Sequence, residues 1–244
     1  MHGKIAALLL ALVLSGCGAV SRNTMPDPGA HPQFRRFAGI LIEYQKIACP
    51  DCEPNDWKIG IVRSGAVNAY STGGGNFYVT EGALTRIPDE ELDALAAHEV
   101  AHEIAGHNAK LQMASVAVTG VFAALGALVP GAALGLIAQP LVHRAYSREQ
   151  EFEADAIAAA LMEKRHGNSA RTRYINVFLR RHAAELKARG QEGDGGLFDT
   201  HPLPEERQAR IDQIIRGVRK GAAIPPYSRA DILPAGQEAA AQQE

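Results

Sequence analysis

The sequence has little of what a nucleic-acid-binding protein needs. Its 25 lysine and arginine residues are balanced by 27 aspartate and glutamate residues, so the formal net charge is −2. No basic run is long enough to form a phosphate-binding patch, and no internal repeat is visible. The chain has 244 residues, of which 46% are hydrophobic. This is enough for one domain with a substantial core and marginal for two.

Cysteine is also scarce, with three residues in the chain: Cys17, Cys49 and Cys52. Cys49 and Cys52 are separated by a proline and an aspartate, and a local disulfide is the default for such a pair in an oxidising compartment. A redox role would require the pair at the start of a helix after a strand, whereas the neighbouring prolines indicate a loop. We therefore predict a disulfide, with free thiols and a redox or metal role as the alternatives.

The first sixteen residues are typical of a secretion signal. A short positive start precedes an apolar segment, residues 5–14, which is too short to span a bilayer. Residues 14–17, Leu-Ser-Gly-Cys, resemble the lipobox of bacterial lipoproteins, in which the signal is cut before the cysteine and the thiol is lipidated. The alternative is an ordinary secretory signal with a chance cysteine. Because Gly18 rather than aspartate follows Cys17, the resemblance implies the outer membrane, facing the periplasm.

The rest of the chain divides into three parts. Residues 17–36 contain several prolines and few large apolar side chains, which predicts a lipidated tether. Residues 37–220 are expected to form the domain, and residues 221–244, rich in Ala, Pro and Gln, predict a flexible tail. Residues 113–142 are uncharged and long enough to span a bilayer, but glycine and proline interrupt them. We predict a buried helical hairpin or a flap there, with partial membrane insertion as the alternative.

Within the domain, the residue pattern predicts strands first and helices afterwards. A helix should begin at Pro88, because the acids that follow it suit the positive end of a helix dipole, and should run to about Gln112. Ser147 and Gln150 have the spacing of a capping box, which predicts the start of another helix. The other expected elements are helices at 34–48, 170–189 and 205–219 and strands at 57–62, 66–70 and 76–80.

The pattern His98-Glu99-Val100-Ala101-His102 carries the chemistry. At 3.6 residues per turn, His98 and His102 lie about 40° apart on one helix face, where two imidazoles can grip one metal. The carboxylate of Glu99 can reach a water molecule on that metal, which is the arrangement of zinc peptidases. Structural histidines on a charged helix are the alternative. Because the helix is apolar and predicted to be buried, that alternative has little to support it.

Zinc needs a third protein ligand and an open position for water. The metzincin solution is excluded, because Ala105 and Asn108 stand at its glycine and histidine positions. His107 lies about 140° around the helix from His102. It cannot join the same site unless the helix breaks, so we interpret His107 as structural.

Glu151 is the best candidate for the third ligand. It lies four residues before Asp155, so the two carboxylates share one helix face. One can bind zinc while the other accepts the N–H of a ligating histidine. For Glu149 and Glu153, solvated surface acids are the simpler interpretation.

These motifs together resemble a known family. The chain contains, in order, His98-Glu99-x-x-His102 and Ser147-Arg148-x-x-Glu151-x-x-Ala154-Asp155. This pair is similar to the gluzincin family of HtpX and the CAAX prenyl endopeptidases, metallopeptidase family forty-eight. Residues 68–84 resemble the family's segment before the active-site helix, and residues 201–207 its C-terminal His-Pro and Arg motif. The resemblance covers roughly residues 37–215.

The resemblance implies a compact, mainly helical α+β domain of gluzincin type, with a small β-sheet beside the active-site helix. It agrees with one zinc ion per chain held by His98, His102 and Glu151, with Asp155 as a supporting partner and Glu99 as the general base. The several membrane spans of HtpX-like members are not visible. Together with the lipobox, this indicates the periplasmic lipoprotein branch.

Three further residues are candidates for the transition state or for regulation. The oxyanion needs a donor besides zinc, and Arg148, Arg207 and His201 are the candidates. His201 also lies in a proline-bounded loop after a glycine-rich segment. If that loop folds over the cleft, the imidazole would fill the fourth zinc position and act as a latch. The alternative is a loop histidine that caps a helix.

The leading hypothesis is an endopeptidase that hydrolyses unfolded or misassembled envelope proteins, bound in extended form along an edge strand within residues 68–80. A second hypothesis is a non-catalytic, chaperone-like or assembly lipoprotein that keeps a zinc site. Glu99 argues against it, because a structural site needs no base. A third is a redox lipoprotein built on Cys49 and Cys52, which leaves the metal motif unexplained. The oligomeric state does not follow from the sequence.

Overall fold

The structure of the protein is a computed structural model that describes residues 23–108, 146–188, 190, 198, 201, 205–217 and 220–232. The predicted signal, Cys17 and the uncharged stretch at 113–142 lie outside the described residues. The same holds for the glycine-rich approach to His201 and for the end of the chain from residue 233.

Helices pack around one small sheet, so the predicted mainly helical α+β class is confirmed. Across the described ranges, no helix combines the length and the apolar character that crossing a membrane requires. The elements in chain order are α1 (Phe34–Ala48), β1 (Lys58–Val62), β2 (Ala69–Ser71), β3 (Asn76–Thr80), α2 (Glu81–Arg86), α3 (Asp89–Ile104), α4 (Arg148–His166), α5 (Arg173–Ala188), α6 (Glu205–Ile215) and α7 (Arg229–Ile232), with 3-10 turns at Pro28–Ala30 and Ser169–Thr172.

The sheet has the strand order β1-β3-β2. β1 runs parallel to β3 with Val62 opposite Thr80, and β2 runs antiparallel to β3 with Tyr70 opposite Tyr78. In the part of the chain that the structure describes, β2 is therefore an edge strand. It packs beside α3, which brings the sheet edge next to the predicted motif helix.

Helix α3 forms the centre of the domain, and every residue from Glu91 to Ile104 is buried. It contacts α1, α4 and α5. Pro88 caps its start, and acids fill its first turn as expected. Its end differs from the predicted one at Gln112. Gly106 adopts a left-handed conformation with φ +65°, and its N–H bonds the carbonyl of Glu103, which ends the helix early.

Helix α4 begins as the sequence predicts. The hydroxyl of Ser147 accepts the Gln150 N–H, and the Gln150 side chain accepts the Ser147 N–H, so the capping box is confirmed. At the other end of the helix, Asp93 of α3 joins three elements. Its buried carboxylate accepts hydrogen bonds from Tyr44 of α1 and from Arg165, and it lies 2.7 Å from His166 Nε2 of α4. α3 and α4 are therefore held against each other at this end of their interface.

Two terminal segments pack more closely than the sequence suggests. Thr24, within the predicted tether, forms an antiparallel bridge with Val62 of β1. Gly221, at the start of the predicted flexible tail, packs against α4, and the next residue donates its N–H to the carbonyl of Ala156. Backbone pairing stabilises both segments, and composition alone does not reveal such pairing. The predicted disulfide between Cys49 and Cys52 is confirmed, in the turn after α1.

Gly82 of α2 allows the chain before β2 to approach closely. A Cβ atom at this position would lie 2.3 Å from the carbonyl oxygens of Gly65 and Ala66. Gly82→Ala should therefore lower the free energy of unfolding by about 1–3 kcal/mol, the usual cost of overpacking, as measured by urea unfolding. Gly39→Ala in α1 is the matched control, since nothing lies within 4 Å of its Cβ position, and it should not destabilise the protein. Equal stabilities of the two variants would contradict the close approach.

Candidate metal centre

The last two turns of α3 supply three of the predicted side chains. His98 and His102 are one turn apart, and Glu99 lies between them in the chain. All three are buried, with exposed fractions of 3%, 0% and 1% in the order His98, His102, Glu99. Such burial is unusual for groups of this kind unless they have partners or a ligand.

Helix α4 supplies the carboxylates from its first two turns. Glu151 and Asp155 face α3 and are also buried. His201 comes from the segment before α6, and its ring is completely buried in the same place. The ligating atoms of His98, His102, Glu151 and His201 all lie within 4.8 Å of one another, which places four donors around one point.

The separations suit a single zinc ion. His98 Nε2 lies 3.0 Å from His102 Nε2 and 3.4 Å from His201 Nδ1. Glu151 Oε1 lies 2.9 Å from His201 Nδ1 and 3.4 Å from His102 Nε2. Four ligands at about 2.0–2.2 Å from a tetrahedral zinc lie about 3.3–3.6 Å from one another. The two separations of 3.4 Å fall in this range, and those of 3.0 Å and 2.9 Å are a few tenths of an ångström shorter, so a bound ion would spread these donors slightly. Three imidazoles and one carboxylate are also donors that zinc prefers, so the residues fit the ion.

Two further buried atoms lie beside the four donors. His201 Nε2 and Glu99 Oε1 are 3.4 Å apart, and neither has a hydrogen-bond partner among the described residues. Buried polar atoms are nearly always satisfied. A ligand at this point would satisfy both.

Arg207 of α6 neutralises the buried carboxylates of Glu151 and Asp155. Its guanidinium donates to Asp155 through Nε at 2.6 Å and Nη2 at 2.9 Å, and its Nη1 lies 2.6 Å from Glu151 Oε2. Asp155 in turn lies 3.1 Å from Nδ1 of His98, the nitrogen that faces away from the donor cluster. A carboxylate at that nitrogen fixes the ring orientation of a ligating histidine.

The charges of the site shift the pKa values of most of its groups in the directions that metal binding needs. His98 is the exception: burial and Arg207 oppose its protonation, but hydrogen bonds to Asp155 and Glu151 outweigh them and raise its pKa to about 9, so zinc must displace a proton from this ring. Burial opposes ionisation of Glu151, but Arg207 and His201 outweigh it and hold its pKa well below the ordinary value. The pKa of Asp155 is also lowered, because Arg207 and His98 outweigh the effect of its burial. Burial lowers the pKa of His102 well below its ordinary value, which favours the neutral, ligating form. Burial raises the pKa of Glu99.

His107 lies closer to the site than its helical position suggests. The turn at Gly106 redirects the chain, and His107 Nδ1 lies 2.9 Å from His102 Nδ1. The helix break that its participation would require is present. On its other side, His107 Nε2 lies 3.2 Å from Glu153 Oε2. The Nδ1 atom of each motif histidine therefore has a partner. For His98 the partner is the Asp155 carboxylate, and for His102 it is the His107 imidazole, which in turn contacts Glu153.

The sheet edge contacts the site through its backbone. The N–H of Ser71, at the end of β2, donates to Oε2 of Glu99 at 3.2 Å. Tyr146, just before α4, stacks on His102 with ring centroids 3.8 Å apart and donates its hydroxyl to Asn108. Reasoning from the sequence did not single out Ser71 or Tyr146. Ser71 acts through its backbone amide, which leaves no signature in the side-chain pattern.

The structure brings most of the predicted site residues together. His98, Glu99, His102, Glu151, Asp155, His201 and Arg207 form one buried cluster. Arg148 does not join it. Its side chain is 61% exposed and lies 3.9 Å from Glu206, a surface ion pair.

Comparison with known proteins supports the same interpretation. Over 192 residues the chain is 32% identical to the mitochondrial metalloendopeptidase OMA1 of Schizosaccharomyces pombe, which is 76% of this chain and 54% of that protein. It is 28% identical to the human mitochondrial metalloendopeptidase OMA1, over 78% of this chain and 39% of that protein. It is also 28% identical to the metalloprotease LoiP of Escherichia coli, over 85% of this chain and 96% of that protein.

The chain thus spans about half or less of the two OMA1 proteins and nearly all of LoiP. The model of Peptidase family M48 matches residues 40–215, which include every member of the buried cluster. The chain belongs to peptidase family M48.

Proposed function

We propose that the protein is a zinc-dependent endopeptidase. The observation that carries this proposal is the buried group of His98, His102, Glu151 and His201, with the carboxylate of Glu99 beside it. A structural zinc site needs no adjacent carboxylate. The names of the relatives, two metalloendopeptidases and one metalloprotease, support the proposal.

His98, His102 and Glu151 are the proposed ligands of one zinc ion per chain. When bound, zinc lowers the pKa of a water molecule and polarises the carbonyl group of the peptide bond to be cleaved. Asp155 and His107 orient the two ligating imidazoles from behind. Because these supports are side chains in a buried interface, the donor geometry exists before any substrate arrives.

Glu99 is the proposed general base. Its carboxylate takes a proton from the attacking water and later delivers it to the leaving amine. The Ser71 N–H holds Oε2, so that Oε1, near His201, is the oxygen available for the proton. Burial raises the pKa of Glu99, which brings it closer to the range in which a base both accepts and releases a proton near neutral pH.

Strand β2 is the proposed binding edge for substrate. It is an edge strand in the described sheet and ends at the residue that contacts Glu99. An extended peptide that pairs with such an edge is held by its main chain, which gives little sequence specificity. Unfolded or misassembled envelope proteins are therefore the proposed substrates.

The test of the base is Glu99→Gln. The variant should fold and bind one zinc per chain, because the side chain is nearly isosteric, but casein cleavage should fall about 10²–10⁴-fold because the amide cannot accept the proton. Zinc content and casein cleavage are measured on the full-length chain purified in mild detergent. Glu149→Gln, an exposed acid on α4, is the matched control. Activity of Glu99→Gln within a few-fold of the unsubstituted protein would contradict the mechanism. If the unsubstituted protein and Glu99→Gln both bind zinc but neither cleaves casein, the non-catalytic lipoprotein is favoured.

His201 is the proposed latch of the site. Its imidazole fills the fourth position around the point defined by His98, His102 and Glu151, at 2.9 Å from the Glu151 carboxylate. A fourth protein ligand leaves no room for a nucleophilic water. The enzyme would then be active only when His201 withdraws.

His201→Ala should therefore bind zinc more weakly, because one donor is lost, and cleave casein faster, because the water position is open. Zinc affinity is measured by competition with a chromogenic chelator, and turnover by release of casein peptides. His31→Ala, outside the site, is the control. If neither zinc affinity nor turnover of His201→Ala differs from the control, the latch does not exist.

The proposed location is the outer membrane, facing the periplasm, through a lipid on Cys17. Several acyl chains at about 0.8 kcal/mol per buried CH₂ would anchor the protein firmly. The disulfide between Cys49 and Cys52 agrees with an oxidising compartment. Cys17→Ala should release the protein from the membrane fraction, as measured by fractionation and a carbonate wash. Retention of the variant in the washed membranes would instead support insertion of residues 113–142.

A further inference from the structure

Glu103 directly follows the second motif histidine, and its buried carboxylate accepts hydrogen bonds from separate parts of the chain. It is only 5% exposed. Its Oε1 accepts the Gly75 N–H at 2.7 Å and the Tyr227 hydroxyl at 2.8 Å, and its Oε2 accepts the Ser71 hydroxyl. The donors come from both ends of the turn between β2 and β3 and from the C-terminal segment. A buried carboxylate with three donors fixes the groups that bond it.

Ser71 connects the carboxylate of Glu103 to that of Glu99. Its hydroxyl donates to Glu103 and accepts from Asn108 at 2.9 Å, while its backbone N–H donates to Oε2 of Glu99 at 3.2 Å. Together with the pairing of Ser71 and Phe77 between β2 and β3, these side-chain bonds hold the Ser71 amide in place. A displacement of this residue would move the hydrogen bond that orients the carboxylate of Glu99.

The C-terminal segment, residues 220–232, is anchored on both sides of Tyr227. Before it, the N–H of Ala222 bonds the carbonyl of Ala156 in α4. After it, Arg229 Nε lies 3.0 Å from an Asp56 carboxylate oxygen. Burial and the carboxylate of Glu103 raise the pKa of Tyr227, which keeps its hydroxyl protonated as a donor. The segment thus runs from α4 to the sheet and delivers one side chain to the end of α3.

We propose that Glu103 and Tyr227 are positioning residues of the active site, and that the C-terminal segment completes the catalytic centre by fixing the Ser71 amide against Glu99. This inference rests on the proposed endopeptidase function. Among the described residues, neither side chain hydrogen-bonds a proposed zinc ligand or Glu99. Their effect on the reaction passes through the placement of Glu99, which lies one helical turn before Glu103.

The test compares Glu103→Gln and Tyr227→Phe with the matched control Ser228→Ala. Ser228 is next to Tyr227, but among the described residues its side chain bonds only Asp231, within the same segment. In the full-length chain, Tyr227→Phe should lower kcat for casein about threefold and Glu103→Gln about tenfold or more, since small displacements of a catalytic group have large effects on rate. KM and zinc content should stay within about twofold because neither ligands nor strand edge are lost. Ser228→Ala should match the unsubstituted protein.

Amide hydrogen exchange gives a second measurement that does not need activity. Exchange of the peptide covering residues 69–77, followed by mass spectrometry, should be faster in Glu103→Gln and Tyr227→Phe and unchanged in Ser228→Ala. Unchanged exchange in both variants would overturn the inference whether or not the protein cleaves casein. Faster exchange with unchanged kcat would overturn the positioning role. An unsubstituted protein that binds zinc but cleaves nothing would refute the proposed function. The exchange measurement would then still show whether Glu103 and Tyr227 hold residues 69–77 in place.

Discussion

The charge of Arg207 is the feature on which the rest of the centre depends. Its guanidinium is buried and contacts Glu151 and Asp155 at once. Removing one partner of a buried ion pair typically costs about 3–5 kcal/mol, because a charge is left without compensation. With Arg207 in place, α4 can present one carboxylate to the metal position and the other to His98, in a region from which water is excluded. Helix α6, which supplies Arg207, is therefore as necessary to the site as the motif helix.

Each functional group on α3 is supported by a partner on its far side. Asp155 contacts the distal nitrogen of His98, His107 that of His102, and the Ser71 amide contacts Glu99. Such partners reduce the conformational freedom that a ligand or base would lose in the transition state. They come from α4, from the chain after α3 and from the sheet edge, so the packing of the whole domain converges on two turns of one helix.

The spacing rules of helices predicted much of the site. Residues four apart on a helix share a face, which was enough to pair His98 with His102 and Glu151 with Asp155, and the capping box located the start of α4. The end of α3 was predicted near Gln112, but the helix ends at Ile104. Gly106 stops the helix, but a glycine inside a helical pattern is often tolerated, so its left-handed conformation could not be inferred from its presence.

Much of the chemistry of the centre can be predicted from the sequence: the proposed metal ligands, the proposed base and the helices that carry them. These properties depend on residue types and on the fixed geometry of a helical turn. The contacts between different helices and strands, by contrast, depend on the packed fold. The ligating atom of His201 lies within 4.8 Å of those of His98, His102 and Glu151. Ser71 bonds Glu99 through its backbone, and Tyr227 reaches Glu103 from 124 residues away. Contacts of this kind depend on how far helices and strands approach in the packed core, and no local residue pattern specifies that distance.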